Sequence, residues 1–161
     1  MAYSAPSTQV YGALVDQNDW NELVNNDLHF AEPPLASLNY KPGTDISITS
    51  TSFVNADATN LSLSITSQRG KKVHAVAGFY GSNTAPGNAY FDLALDSVRA
   101  GNATNGIAII EANSRGHCFI RAQWTGISAG AHTIRLQMKT DNASYAALLK
   151  ANSPVHMIAW E

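Results

Sequence analysis

Five histidines, one cysteine and two aspartates on one strand-like segment are the residues of this chain that could do chemistry. The histidines stand at 29, 74, 117, 132 and 156, and no two have a short metal-ligand spacing such as H-x-x-x-H. They read as polar strand residues and turn hydrogen-bonders, with His132, beside Gly130, capping the entry to a hairpin. Cys118 lies in His117-Cys118-Phe119-Ile120, which alternates as a strand. It reads as a small buried core residue, and as the single cysteine it excludes an intrachain disulfide. Asp92 and Asp96 fall on the same face of one strand, roughly 13 Å apart along it, too far for carboxylates sharing acid and base work. No loop clusters enough oxygens for calcium, and no glycine-rich phosphate loop or G-x-S-x-G elbow occurs. Asn60-Leu61-Ser62, Asn102-Ala103-Thr104 and Asn142-Ala143-Ser144 match the glycosylation sequon but read as chance in an Asn/Ser/Thr-rich chain. The residues therefore assign no catalytic group, no cofactor and no metal, and point away from an enzyme.

The elements that position these residues are strands. The clearest runs from Gly130 through Ile134, Leu136 and Met138, which alternate with Arg135, Gln137 and Lys139. Period-two alternation with long polar residues on one side marks a strand with one face in a core. Leu61, Leu63 and Ile65 repeat the pattern, as do Phe91, Leu93 and Leu95, and Cys118, Ile120, Ala122 and Trp124. Val73 to Tyr80 is apolar or small on both faces, as suits a central strand covered on both sides. Shorter strands are predicted at 46–50, 107–110, 145–149 and 155–160. Turn clusters separate them: Gln68-Arg69-Gly70, Pro86-Gly87, Gly101-Asn102, Asn113 to Gly116, Asp141-Asn142 and Asn152-Ser153-Pro154. The expected fold is all-β, an antiparallel sandwich of about eight or nine strands.

The first 40 residues read differently. Asp16 is a good N-cap, Asp19 sits where a capping-box acid would, and Trp20, Leu23 and Val24 follow at i, i+3, i+4. This predicts a short helix over about 16–26, too short to stand alone, whose Trp stripe must dock on something. Pro33-Pro34 and Pro42-Gly43 suggest a boundary near 41, with an N-terminal arm over 1–40 and the sandwich over 41–161.

Charged residues make up only 14% of the chain, so Ser, Thr, Asn, Gln and Gly must cover most of its surface. The formal net charge of −2 offers no electrostatic footprint for nucleic acid or an anionic membrane. No apolar run approaches the roughly 20 residues of a membrane helix, and the first residues lack the basic head and apolar core of a secretory signal.

Three stretches together carry a resemblance. Ile127-Ser128-Ala129-Gly130-Ala131-His132-Thr133-Ile134-Arg135-Leu136-Gln137 is similar to a stretch that precedes the penultimate hairpin in bacteriophage and prophage virion proteins with jelly-roll domains. Those domains are similar to the tumour-necrosis-factor and complement globular heads. Ala89 to Asp96 resembles a strand of the same proteins, and Leu14 to Asn26 resembles a segment near their start. The chain departs after that strand: the family often has Asp-Gly there, whereas Asp96-Ser97-Val98-Arg99-Ala100-Gly101-Asn102 reads as a longer connection.

The resemblance implies a jelly roll in a homotrimer, located in a virion and in contact with other virion proteins of capsid or tail. The leading function is capsid decoration or cement, anchored through the arm by Trp20, Leu23 and Val24. The second is a tail-fibre-tip module binding a host surface glycan, with Tyr90 in loop 81–90 stacking on sugar. A third, an adhesion or signalling ligand like the tumour-necrosis-factor heads, lacks a secretory signal and a collagen-like repeat. Tyr80, Tyr90, Phe119, Tyr145 and Trp160 are the aromatics that alternation cannot all place in the core. Phe119 is the clearest of them, because Cys118 and Ile120 take the core face, and it is the expected trimer contact.

Overall fold

The computed structural model describes residues 34–70, 72–84 and 86–161. Trp20, Leu23, Val24 and the helix expected over 16–26 lie outside them.

Among the described residues every regular element is a strand. Sheet A holds β1 (Ala36–Tyr40), β2 (Ile46–Ile48), β5 (Lys72–Asn83), β9 (Arg115–Thr125), β11 (Ala147–Leu149) and β12 (Val155–Trp160). Sheet B holds β3 (Val54–Asn55), β4 (Ser62–Ser67), β6 (Ala89–Leu95), β7 (Val98–Arg99), β8 (Ala108–Ile110) and β10 (Gly130–Thr140). All pairings are antiparallel, and the chain is a jelly-roll sandwich.

The twelve segments reduce to eight strand positions. β5 pairs along one edge with β9, from Lys72↔Thr125 to Ser82↔Arg115. Its other edge is shared end to end by β12 and β11, with β1 beyond β12 and β2 beyond β11. In sheet B, β10 is the long strand. β4 and β3 share one of its edges, β6 takes the other, and β7 and β8 share the far edge of β6. This reconciles the expected eight or nine strands with the larger number of short segments.

Three expectations change. Ala36–Tyr40, placed in the arm by the boundary at 41, is a strand of sheet A, paired Ala36↔Ala159 to Tyr40↔Val155. Prolines on both sides of a five-residue run hid it. The connection after β6 is tight rather than long: Asp96 (φ 46°) and Ser97 (φ 76°) both occupy the left-handed region, and Leu95 pairs with Val98. That is the backbone of a two-residue type I′ hairpin, which Asp-Gly would form with less strain. Finally, β5 has only its inner face in the core, while His74, Val76, Gly78 and Tyr80 on the other face stay half-exposed.

The core fills the space between the sheets. Val73, Ala75, Ala77 and Phe79 of β5 and Ile120, Ala122 and Trp124 of β9 face Leu93, Leu95, Ile134, Leu136 and Met138. The alanines make room for the large side chains opposite, as interior packing density requires. Phe79 and Phe91 meet with ring centroids 4.7 Å apart. Gly81 has a packing reason, because a Cβ there would lie 2.6 Å from Ile110 Cδ1 and 2.9 Å from Phe91 Cζ.

Candidate functional site: the outer face of sheet A

Strands β12 and β5 of sheet A and the edge strand β9 beside them send one row of side chains to the core and the alternate row outward. The outward row mixes polar and basic residues with Val76, Tyr80, Phe119, Ile158 and Trp160. Phe119 is 74% exposed and Ile158 38%. Gly78 lies between His156 on one neighbouring strand and Phe119 on the other. Because Gly78 has no side chain, Phe119 stands beside a hollow of about 390 Å³ lined by Gly78, His117, Cys118, Pro154 and His156. Val76 lies between Ile158 and Arg121, and Tyr80 meets His117 edge-on at 4.8 Å between centroids. At the far end His74 stacks on Trp160 at 5.8 Å. A knob and a hollow on one face can seat another protein surface, and large exposed apolar patches mark such sites.

The charges on this face are all of one sign. Among the described residues, the strands of sheet A carry Lys72, Arg115 and Arg121 and no aspartate or glutamate. None of the three makes an ion pair among the described residues. Burial, with the nearby positive Arg121 and Lys72, holds His74 below its ordinary value, so it stays neutral more readily than a free imidazole. Burial pushes the Cys118 thiol up, away from the reactive thiolate. Cys118 is half-buried against the core edge, so it does pack inward, though less completely than the alternation predicts.

Two further clusters lie elsewhere. At one end of the sandwich a cleft of about 530 Å³ opens between the β6–β7 turn and the β9–β10 loop. Its polar wall is His132, whose Nδ1 lies 2.5 Å from Asp96 Oδ2 and whose Nε2 lies 2.9 Å from the Ser128 carbonyl oxygen. The Asp96 hydrogen bond, then that to Ser128, raises the His132 pKa. Burial works against the Asp96 charge, but His132, the Thr133 N–H and Arg135 outweigh it and hold the carboxyl below its usual range. His132 therefore does cap the hairpin entry, by tying two loops together.

On the outer face of sheet B, Tyr90 is half-buried under Lys139, whose Nζ sits 4.8 Å from the ring centroid and 5.2 Å from that of Phe53. Arg99 lies over the same Phe53 ring at 4.4 Å. Beneath them Asp92 is fully buried. Its carboxylate accepts from the Leu93 and Gly101 N–H groups and pairs with Arg99 at 3.3 Å. Burial raises its pKa against those contacts. Arg99 also donates to the carbonyls of Asn102 and Ala103, which holds loop 100–107 on the sheet.

The expected site residues thus separate. Phe119, Tyr80 and Trp160 share the outer face of sheet A, Tyr90 lies on sheet B, and Tyr145 packs on Gly87. Sequence reasoning missed Ile158, Val76 and the hollow at Gly78, because which outward positions adjoin depends on cross-strand register. It also missed that Asp92 is buried with Arg99 as partner, since alternation alone sends Asp92 to solvent. No group of three His, Cys, Asp or Glu among the described residues could hold a metal.

No family model and no curated protein matches the chain. Among solved structures, a carbohydrate-binding module determined with calcium and xylotriose aligns at 16% identity and a TM-score of 0.35, over 68% of this chain and 76% of that one. A pika GITRL aligns at 17% and 0.34, over 62% of this chain and 72% of that one. A pentameric capsid protein from metagenomic phage sequences aligns at 16% and 0.34, over 96% of this chain and 81% of that one.

Proposed function

We propose that this protein is a non-enzymatic structural component of a phage virion, a capsid decoration protein that works as a homotrimer. The single observation that carries the reading is Phe119, 74% exposed beside an apolar hollow on a sheet face rich in aromatic and aliphatic side chains. A lone chain leaves roughly one large apolar side chain in water there, and covering it is favourable by about 1.5–3 kcal/mol per residue. The phage context rests on the resemblance of the 127–137 and 14–26 segments. In this reading the jelly roll assembles through sheet A, and Trp20, Leu23 and Val24 hold it on other virion proteins.

The test is the solution mass of the full chain and of Phe119→Ser. The wild-type chain is expected at three chain masses and the variant to dissociate at micromolar concentration. A wild-type monomer at all concentrations sinks the trimer. Particle binding is then read for the full chain and for Trp20→Ala, with weaker binding expected for the variant.

The fibre-tip reading puts glycan on Tyr90. Lys139 already covers one face of that ring, which leaves less of it for sugar stacking. Glycan-array binding abolished by Tyr90→Ala would favour it over decoration.

A further inference from the structure

The charges of this chain are segregated. Residues 1–33 contain Asp16, Asp19, Glu22, Asp27 and Glu32 and neither lysine nor arginine, so all ten basic residues fall in 34–161. Within 34–161 most acids already have partners. Asp45 pairs with Lys150, Asp92 with Arg99 and Asp96 with His132. Asp57 caps its own turn, Asp141 accepts from the Asn88 N–H, and Glu161 accepts from Ser67, Gln68 and Arg69. Lys72, Arg115 and Arg121 on sheet A face outward without an acid among the described residues.

This pattern restricts how copies can meet. A two-fold interface sets the same patch against itself. Sheet A against sheet A would bring the positive patch of Lys72, Arg115 and Arg121 onto the same positive patch of the other copy. A heterologous contact instead brings a different surface of the next copy onto the face. The stretch of sequence that matches both its charge and its apolar character is the acidic segment that also carries Trp20, Leu23 and Val24. Residues 27–33, between the helix expected over 16–26 and the sandwich, span up to roughly 24 Å when extended, and the helix adds about 16 Å.

We propose that the outer face of sheet A receives the acidic segment 16–32 of a second copy. Its apolar side chains fill the hollow beside Phe119 and its carboxylates pair with Lys72, Arg115 and Arg121. This rests on the reading that copies assemble through sheet A, and it names what covers that face; it places Trp20, Leu23 and Val24 on the neighbouring copy instead of on another virion protein, so that Trp20→Ala weakens particle binding through loss of assembly.

The experiment uses the full chain with p-benzoylphenylalanine in place of Phe119, an exposed position where the larger ring does not disturb the core. Equal amounts of ¹⁴N and ¹⁵N protein are mixed, irradiated and mapped by mass spectrometry. Mixed-isotope cross-links from position 119 to peptides of residues 1–33 are expected. In parallel, raising NaCl from 0.05 to 0.5 M is expected to weaken assembly on the order of tenfold, since interfacial charge pairs are screened. Arg121→Glu is expected to weaken it comparably, and Arg121→Glu with Glu22→Lys to recover part of the loss. Mixed cross-links to sheet A peptides overturn the inference and leave the homomeric reading intact. Cross-links confined to one isotope parent overturn exchange between copies. A chain that stays monomeric overturns both, and assembly indifferent to salt and to the charge swap overturns the electrostatic pairing.

Discussion

His132 has an oxygen acceptor at each ring nitrogen, Asp96 Oδ2 at 2.5 Å and the Ser128 carbonyl at 2.9 Å. Neutral imidazole has one N–H and one lone pair, so one of these contacts would set lone pair against lone pair, whereas imidazolium donates to both. The folded His132 pKa lies above 6.5. Its contribution is therefore complete below 6.5 and is lost as pH rises through the folded value. The folded Asp96 pKa lies below 3.8. Its contribution is complete above 3.8 and is lost as pH falls through the folded value. The pair is at full strength between these limits. Unfolding free energy should fall from pH 6 to pH 9 by less than about 1 kcal/mol, because Asp96 is nearly half-exposed. The same titration of His132→Gln should lack that component, while His74, shifted in the opposite direction, contributes equally to both proteins. Asp92 is the other residue whose partners decide its role. Asp92→Ala strands the Leu93 and Gly101 N–H groups under loop 100–107, while Arg99 keeps its bonds to the Asn102 and Ala103 carbonyls, and should cost about 2–4 kcal/mol. The check is a lowered urea midpoint at unchanged slope.

At the scale of elements, the β6–β7 hairpin has the geometry of Asp-Gly without the glycine. Ser97 holds φ 76°, where a Cβ costs roughly 1–2 kcal/mol. Ser97→Gly should relieve part of that cost, partly offset by the greater freedom of the unfolded chain. A gain of about 0.5–1 kcal/mol is expected, seen in thermal unfolding as a rise of about 1–4 °C. No rise would mean that the side chain has a stabilising contact equal to the strain. Neighbouring Gly101 allows no such exchange, because a Cβ there would lie 2.3 Å from the Gly106 carbonyl carbon. The residues of this hairpin were plain in the sequence. What hid its tightness is that serine rarely advertises a left-handed turn, so Asp96 to Asn102 read as one long loop.

At the scale of the whole molecule, the sandwich buries one face of each sheet and leaves the outer face of sheet A apolar and basic. Phe119 was legible as an outward residue because Cys118 and Ile120 claim the core side. Its setting was not, since Gly78 and His156 lie far from it in sequence and become its neighbours only through the β5–β9 and β5–β12 registers. Mutations there should leave folding stability nearly unchanged, as for exposed positions generally. Equal urea midpoints for Phe119→Ser and the wild-type chain, measured at a concentration where both are dissociated, would show this. A large loss would mean that Phe119 supports the fold rather than an interface.

By itself the sequence determined the fold class and the core faces. Local alternation encodes which side chains point inward, and Leu63, Ile65, Phe91, Leu93, Ile134, Leu136 and Met138 are all buried as the pattern requires. It also determined the absence of a second cysteine and the uneven spread of charge. Only the tertiary structure decided that Ala36–Tyr40 closes one edge of sheet A, that Asp92 is buried against Arg99, and that Phe119 overlooks a hollow. The reason is physical: alternation is a property of neighbours along the chain, whereas pairing register, burial of an outward residue and the shape of a face depend on segments tens of residues apart.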